Sequence, residues 1–329
     1  MTAKASRAKR TRLSTPHQVI KASGRRERFV LELLDALWQR YCRRVSYVRD
    51  YEAVVRDVGA TFVNDHLAFR TIACQQPTTG IASLSRIFQA LGYQAAGCYT
   101  FADKHLGAYH FQHTNPDFPK LFISELKLWE MSPAVQRAVQ RTLQSHRRPL
   151  KDQTLAALHA LDGSFAGSRE RLLSGLIRFF HQRPWLPPAK KDVLAVSEES
   201  QYAAWVLVHG YNVNHFTSLI NSHGVPELAD IDKTVDRLRS AGVPMKENIE
   251  GRRGSKLRQT ATEAVTLDVP VRIGARQATM PWPYAYFELA ERGEIFDPST
   301  RRRIRFQGFL GPQATQLFEM TKVKGGGKE

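Results

Sequence analysis

The chain has 329 residues, of which 42% are hydrophobic and 24% are charged, a composition typical of a globular protein with a substantial core. No apolar run reaches the length of a membrane span, and the first residues lack the apolar stretch of a secretory signal. The three cysteines are widely spaced and form no CxxC pair, which argues against a disulfide framework and a cysteine metal site. We therefore expect a protein of a reducing compartment, the cytoplasm or alternatively a plastid or mitochondrion, with no membrane partner.

The formal net charge of +17 suits three kinds of partner: nucleic acid, an acidic membrane surface or an anionic small molecule. Much of the excess lies in residues 1–26, which contain no acidic residue, and in the run from Arg301 to Arg305. We predict that residues 1–26 form a basic disordered tail, with a nucleic-acid or anionic-surface tether and an organelle transit peptide as alternatives. No recognisable nucleic-acid-binding motif accompanies the charge, so a basic nucleic-acid-binding protein is the competing and disfavoured class.

The pattern up to residue 131 predicts one or two amphipathic helices and then a module of strands around one helix. Apolar residues at helical spacing fill residues 28–53. The run VNDHLAFRTI (63–72) is typical of a buried strand, and IASLSRIFQALGY predicts a helix that ends near Gly92. The segments AAGCYTF, LGAYHFQHT and LFISELKLW then predict two or three short strands.

The spacing of apolar residues changes at residue 132, and residues 132–192 predict a helical insertion that ends in a linker. Ser132 is typical of a helix N-cap and Pro133 of the first helical position. Helical spacing continues to Phe180, and HQRPWLPPAKKD (181–192) is polar and proline-rich, as in a connecting segment. The insertion would separate two structurally related parts of the chain.

The order of strand, helix and strands returns in residues 193–329. WVLVHGYNVNHFTSLI predicts a strand, DIDKTVDRLRSAGV a helix that ends at Gly242, and LRQTATEAVTLDVP and WPYAYFELAERG further strands. NDHLAFRT before the first helix resembles NVNHFTSL before the second, which indicates a two-fold internal repeat. We predict an α+β fold in which modules 60–131 and 193–329 pair within a single catalytic domain, 27–329.

Two histidines hold equivalent places in this repeat, His66 on the first strand of one module and His215 on that of the other. Pairing of the modules would bring both imidazoles into one cavity. Glu288 is the third candidate, since Tyr284, Tyr286 and Glu288 share one face of a predicted strand. Two histidines and one carboxylate form the facial triad of non-haem Fe(II) oxygenases. The same ligands suit Mn(II) or Zn(II), and the carboxylate with open coordination positions favours iron.

Arg70 follows His66 on the same predicted strand, four residues further on. Alternate residues of a strand point to one side, so Arg70 faces the proposed cavity roughly 13 Å further along. A guanidinium at that position can hold a carboxylate through two parallel hydrogen bonds, which lysine does not reproduce. The two residues therefore indicate an organic acid bound at a metal.

Other roles for these residues are also consistent with the sequence. A strand histidine can be a core residue with satisfied hydrogen bonds, and Glu288 could pair with Arg292. Arg70 could bridge to Asp65 or to a C-terminal carboxylate. A rival metal site could form from the histidines of DKHLGAYHFQHT, although their spacing matches no known ligand scheme: His105, His110 and His113.

Six segments in chain order resemble the 2-oxoadipate dioxygenase/decarboxylase family, also called 2-hydroxyglutarate synthases. They are NDHLAFRT, LFISELKLWEMSP, WVLVHGYNVNHFT, LRQTATEA, YFELAERG and GFLGPQATQLFEMT, between residues 64 and 321. The resemblance implies that the iron ligands are His66, His215 and Glu288, and that Arg70 binds the substrate. Gln259 is a further candidate for a contact to the substrate or to a metal ligand. The chain looks shorter than the longer bacterial members, so its substrate loops are expected to differ.

The resemblance also implies a fold and a reaction. The fold is related to the vicinal oxygen chelate proteins, in which paired βαβββ modules form a half-open barrel around a metal. The reaction is the Fe(II)-dependent conversion of 2-oxoadipate and O2 to 2-hydroxyglutarate and CO2, in lysine catabolism. A glyoxalase-type isomerase or lyase of the same broad fold, which uses its metal without O2, is the alternative. No pattern in the chain indicates an oligomeric state.

Overall fold

The computed structural model describes residues 15–147, 151–163, 166–311 and 321. Residues 1–14 of the predicted basic tail lie outside this part. His17 is buried, and its Nδ1 atom lies 3.0 Å from Oδ1 of Asp35. No helix within the described ranges is long and apolar enough to cross a membrane. The division of the chain into tail, insertion and modules stays a prediction.

Two helices, α1 (Arg25–Arg44) and α2 (Tyr47–Asp57), precede the sheet, as the apolar spacing predicts. The apolar stripe of α1 is buried, and the ring of Trp38 lies edge-on to that of Phe216, with 5.0 Å between centroids. Burial of such a stripe, rather than helix propensity, provides most of a helix's stability. Because Phe216 is the chain neighbour of His215, α1 packs behind one of the candidate ligands.

The first module has the predicted order of one strand, one helix and three strands. Its elements are β1 (Asn64–Ala73), α3 (Ile81–Ala90), β2 (Tyr93–Phe101), β3 (Leu106–His113) and β4 (Lys120–Lys127). In the sheet, β1 lies parallel to β4, β4 pairs antiparallel with β3, and β3 pairs antiparallel with β2. All ten residues of β1 are buried, so the first candidate histidine starts from the interior of the sheet.

The residues between the modules are helical, as predicted. The helices are α4 (Pro133–Leu143), α5 (Asp152–His159), α6 (Arg169–His181) and α7 (Lys190–Glu199). Ser132 is the N-cap of α4, and its hydroxyl accepts a hydrogen bond from the backbone N–H of Val135 at 3.3 Å. Helix α7 begins inside the segment that the proline content predicts as a linker.

The prediction for the segment before the second candidate histidine was wrong. WVLVHGYNVNHFTSLI is not one strand: its first part belongs to helix α8 (Gln201–His209), and β5 (Val213–Leu219) holds the extended part. Helix α8 is buried along almost its whole length, so its apolar residues form a continuous run that periodicity cannot distinguish from a strand. Ser200 caps its start, and Gly210, with a φ of +65°, ends it.

The second module joins the first at the centre of one sheet. After β5 its elements are α9 (Ile231–Ser240), β6 (Leu257–Ala261), β7 (Thr266–Ile273), β8 (Arg276–Pro283), β9 (Glu288–Arg292), β10 (Glu294–Asp297) and β11 (Arg302–Arg305). In the described part of the chain, seven strands form a sheet in the order β2-β3-β4-β1-β5-β9-β6. The pairs β7–β8 and β10–β11 form separate two-stranded ribbons, and the second carries most of the run from Arg301 to Arg305 at the surface.

Strand β9 begins at Glu288, so the prediction that Tyr284, Tyr286 and Glu288 alternate along one strand was wrong. The two tyrosines lie in the loop before β9. Tyr286 nevertheless stacks on the ring of His215, with centroids 5.0 Å apart. The hydroxyl of Tyr284 instead donates a hydrogen bond to the carbonyl of Val213 at 3.0 Å. One tyrosine therefore contacts the candidate site, and the other supports the start of β5.

Candidate metal centre

Strands β1 and β5 pair side by side, and each contributes one residue more than the regular ladder needs: Asp65 in β1 and Asn214 in β5. Such β-bulges bend a strand locally and turn its side chains in a new direction. Each extra residue comes directly before one of the candidate histidines, His66 or His215. As a result, the consecutive residues Asn214 and His215 both line the same cavity.

The three candidate ligands, His66, His215 and Glu288, converge although they come from three strands. The Nε2 atom of each histidine lies 3.4 Å from a different oxygen of the Glu288 carboxylate. One donor atom from each residue lies within 4.8 Å of the other two, and among the described residues no other group of histidine, cysteine and acidic side chains has this spacing. The imidazole rings are nearly perpendicular, with centroids 5.5 Å apart. The three donors therefore face one small volume.

The bulged residues hold the far side of each imidazole. Nδ1 of His66 lies 2.8 Å from Oδ2 of Asp65, and Nδ1 of His215 lies 3.0 Å from Oδ1 of Asn214. An oxygen acceptor at Nδ1 keeps the proton there and leaves the lone pair on Nε2. Both histidines are therefore held with Nε2 aimed at Glu288, and Nε2 of His66 also lies 3.0 Å from the hydroxyl of Thr217.

Asp65 has a second partner, since Arg292 donates from Nε to Oδ1 at 2.6 Å and from Nη2 to Oδ2 at 2.7 Å. Both side chains are about 1% exposed. The Arg292 guanidinium and the nearby Lys120 ammonium hold the pKa of Asp65 well below its usual range, although burial alone would raise it. Arg292 thus pairs with Asp65, and the alternative pair between Glu288 and Arg292 is not formed.

Glu288 is fully buried, and burial raises its pKa to about 8. Gln259 donates a hydrogen bond from Nε2 to Oε1 of Glu288 at 2.6 Å, which opposes this shift by stabilising the carboxylate. The other carboxylate oxygen, Oε2, has no hydrogen-bond partner within the described residues. Gln259 therefore contacts a candidate ligand, one of the two roles expected for it.

A divalent cation fits these donors. Burial lowers the pKa of His66 and lowers that of His215 well below its usual range, so both imidazoles are neutral at pH 7, the form that binds metal. A cation between them and Glu288 would offset the unfavourable burial of the carboxylate and satisfy its unpaired Oε2. Three protein ligands of this kind leave coordination positions open for small molecules.

Arg70 lines the same cavity as the three candidate ligands. Its guanidinium lies over the rings of Tyr202 and Trp205, 5.1 and 5.2 Å from their centroids. Nη1 donates a hydrogen bond to Oγ1 of Thr321 at 2.7 Å. Burial lowers the pKa of Arg70, but the ordinary pKa of a guanidinium is so high that the side chain stays charged. The expectation that Arg70 faces the side of β1 that His66 faces is met.

The rival cluster of histidines does not converge. His105 is half-buried, and its Nδ1 lies 3.1 Å from Oε2 of Glu130. Nδ1 of His110 lies 2.9 Å from the hydroxyl of Tyr99, and Nε2 of His113 lies 3.1 Å from a backbone carbonyl oxygen. Each of the three histidines therefore has a separate local partner, and they do not share a ligand volume.

The family model for 2-oxoadipate dioxygenase/decarboxylase matches residues 33–318, most of the chain. The chain belongs to the 2-oxoadipate dioxygenase/decarboxylase family. The enzyme class predicted from the sequence is confirmed at this level. All the candidate ligands and Arg70 lie within the matched range.

Relatives of known name and structure agree with the family assignment. A chloroplastic/amyloplastic 2-oxoadipate dioxygenase/decarboxylase of Oryza sativa subsp. japonica is 29% identical over 301 residues, which cover 84% of this chain and 72% of the relative. The hydroxyglutarate synthase of Oryza sativa, solved in complex with 2-oxoadipate, has a TM-score of 0.70 and 23% identity over 92% of this chain and 96% of that one. A putative glyoxalase superfamily protein of Ralstonia eutropha JMP134 has a TM-score of 0.76 and 24% identity over 90% and 91%. The predicted α+β fold is confirmed, and this glyoxalase superfamily protein shares it.

Sequence reasoning missed several residues that shape the site in this member of the 2-oxoadipate dioxygenase/decarboxylase family. Asp65 and Asn214 precede the two histidines at equivalent places of the repeat, a signal that the comparison of NDHLAFRT with NVNHFTSL contained. Arg292 and Phe309 have no equivalent position in the repeat that would have marked them. Phe309 packs edge-on against the His66 ring, with centroids 4.8 Å apart, and forms one wall of the cavity.

Proposed function

We propose that this chain is an Fe(II)-dependent dioxygenase/decarboxylase that converts 2-oxoadipate and O2 to 2-hydroxyglutarate and CO2. Both oxygen atoms of O2 enter 2-hydroxyglutarate, one in the carboxylate formed at the former keto carbon and one in the new hydroxyl group. CO2 leaves with the two oxygens of the original 1-carboxylate, so one substrate and one O2 account for all product atoms. One observation carries the proposal: two histidines, one carboxylate and the Arg70 guanidinium line a single buried cavity. As the family resemblance implies, we also propose a role in lysine catabolism.

The metal would be held by His66, His215 and Glu288. When bound, Fe(II) would gather the 2-oxo acid and O2 in adjacent positions and supply electrons for the reduction of O2. Asp65 and Asn214 hold the imidazoles from behind, and Gln259 holds the carboxylate, so the donors need little rearrangement on binding.

Arg70 would bind a carboxylate of the substrate and thereby fix which carbon lies at the metal. Its guanidinium has a fork of parallel donors, and the aromatic rings of Tyr202 and Trp205 hold its plane. The rings of Phe122 and Phe309 line the cavity and exclude water, which strengthens hydrogen bonds and ion pairs inside it. Arg70 would thereby contribute to catalysis by holding a dicarboxylic 2-oxo acid in the orientation that the reaction requires.

The test is reconstitution with Fe(II) without oxygen, followed by oxygen-uptake measurements with 2-oxoadipate, with 2-oxoglutarate and without substrate. CO2 and 2-hydroxyglutarate are assayed in parallel. We expect uptake with 2-oxoadipate, matched one to one by both products. Iron-loaded protein that takes up no oxygen with either 2-oxo acid would contradict the proposal and favour the oxygen-independent isomerase or lyase.

A further inference from the structure

The two bulged residues are used differently although they occupy equivalent places. Asp65 has both carboxylate oxygens engaged, by His66 and by Arg292. Asn214 engages its Oδ1 with His215, but its amide nitrogen, Nδ2, is buried and has no hydrogen-bond partner within the described residues. Asn214 is 1% exposed and lines the cavity that holds the candidate metal ligands. Among the residues that the structure describes, this buried donor beside the candidate metal centre therefore has no partner.

The orientation of the Asn214 amide follows from its neighbour. A metal held by Nε2 of His215 and Glu288 requires the lone pair of Nε2, so the ring proton lies on Nδ1, and Nδ1 must donate to an oxygen. The Asn214 side chain can satisfy this donor only with Oδ1, which turns the NH2 group away from His215. Buried N–H groups without an acceptor are unfavourable and rare, so an acceptor that is not part of the chain is expected at this position.

We propose that Nδ2 of Asn214 donates a hydrogen bond to an oxygen of the bound 2-oxo acid. The residue would then have two linked tasks, the orientation of His215 through Oδ1 and contact with the substrate through Nδ2. The inference rests on the proposed function for the identity of the ligand. A 2-oxo acid suits the position because its carboxylate and keto oxygens are all acceptors. The equivalent residue Asp65 has no N–H to offer, so only one of the two modules supplies such a donor.

The substitution Asn214→Asp separates the two tasks. Aspartate keeps an oxygen for Nδ1 of His215 and replaces the NH2 donor by an acceptor. We expect the dissociation constant for 2-oxoadipate, measured by calorimetry on Fe(II)-loaded protein without oxygen, to rise about 10- to 100-fold. The dissociation constant for Fe(II) without substrate, measured by competition with a chelator, should change much less.

Asp65→Asn is the matched control, because it exchanges the same two residue types at the equivalent bulge. It should weaken Fe(II) binding by about 10- to 100-fold, since a group that orients a ligand loses its charge. Binding of 2-oxoadipate to the metal-saturated variant should stay near that of the wild type. The two substitutions thus have opposite effects on metal and substrate affinity, which a general loss of structure would not produce.

Asn214→Ala removes both atoms without introducing a buried charge, and it serves if Asn214→Asp does not fold. We expect this variant to bind Fe(II) more weakly. We also expect it to bind 2-oxoadipate more weakly than the wild type does when both proteins are saturated with Fe(II). Wild-type affinity for 2-oxoadipate in either Asn214 variant at saturating metal would overturn the inference. Wild-type protein that binds 2-oxoadipate at its metal but consumes no oxygen would contradict the proposed function alone. Wild-type protein that does not bind 2-oxoadipate would overturn both.

Discussion

Arg292 donates two parallel hydrogen bonds, of 2.6 and 2.7 Å, to the carboxylate of Asp65, and the two residues lie 227 positions apart in the chain. Asp65 in turn orients His66. The remaining guanidinium nitrogen, Nη1, donates to the backbone carbonyls of residues 306 and 308, just before Phe309, which packs on His66. One arginine therefore connects the orientation of a candidate ligand with the wall of the cavity.

Arg292→Met should destabilise the protein by about 3–5 kcal/mol, because it removes both hydrogen bonds of the guanidinium to the buried Asp65 carboxylate and leaves only Lys120 nearby, at 3.9 Å. The double variant with Asp65→Asn should lose less than the sum of the two single losses. Urea unfolding of the metal-free proteins measures both quantities. Arg303→Met is the control, since Arg303 pairs with Glu294 on the exposed ribbon and should contribute little. Strictly additive losses would mean that the pair does not act as a unit.

Alanine in place of any candidate ligand, His66, His215 or Glu288, should abolish Fe(II) retention and turnover. Each substitution removes one of three donors that converge on one volume. Iron content after desalting and oxygen uptake give the result. His113→Ala is a matched control, because His113 is also a buried strand histidine but bonds to the backbone of residue 91. Equal iron loss in this control would remove the distinction between ligands and structural histidines.

Arg70→Lys should retain iron and lose about 10- to 100-fold in kcat/KM for 2-oxoadipate, because lysine cannot form two parallel hydrogen bonds to a carboxylate. Oxygen-uptake kinetics together with iron content test this. Arg258→Lys provides the same exchange at a buried arginine that pairs with Asp232, and it should leave kcat/KM nearly unchanged. Near wild-type kcat/KM in Arg70→Lys would show that Arg70 does not hold the substrate.

The stability of the metal-free protein should fall as the pH rises from about 4.5 to about 8, through the ionisation of Glu288. In this window the unfolded chain has lost the Glu288 proton while the folded protein still holds it, so raising the pH favours unfolding. For the same reason Fe(II) binding should release a proton and tighten as the pH approaches 8. Urea unfolding at several pH values, compared with Glu288→Gln, isolates the effect. An identical pH slope in both proteins would argue against the raised pKa.

Gly210→Ala should destabilise the protein by about 1–3 kcal/mol, since residue 210 has a φ of +65° and an added Cβ would lie 2.9 Å from Cα of Arg183. The turn at Gly210 leads from α8 into the strand that carries His215. Gly175→Ala, in helix α6 with open space around an added Cβ, should be neutral or slightly stabilising. Thermal unfolding compares the two variants. Equal melting temperatures would show that the turn tolerates a side chain.

The sequence by itself determined the features that local pattern encodes. Amphipathic spacing identified α1, α3 and α9, because a helix with one buried face repeats its apolar residues every three or four positions. The internal repeat put His66 and His215 at equivalent places. The family resemblance covered the same histidines together with Glu288, Arg70 and Gln259.

The tertiary structure alone decided what depends on contacts between distant segments. Helix α8 could not be predicted from the spacing of apolar residues, because a helix that is buried on all sides has no alternation of apolar and polar positions. The bulges at Asp65 and Asn214 depend on the register between β1 and β5, which neither strand specifies alone. Arg292 contacts Asp65 only because β9 and β1 lie in one sheet, on either side of β5. The sequence thus contained the donors, and the folded sheet set their directions.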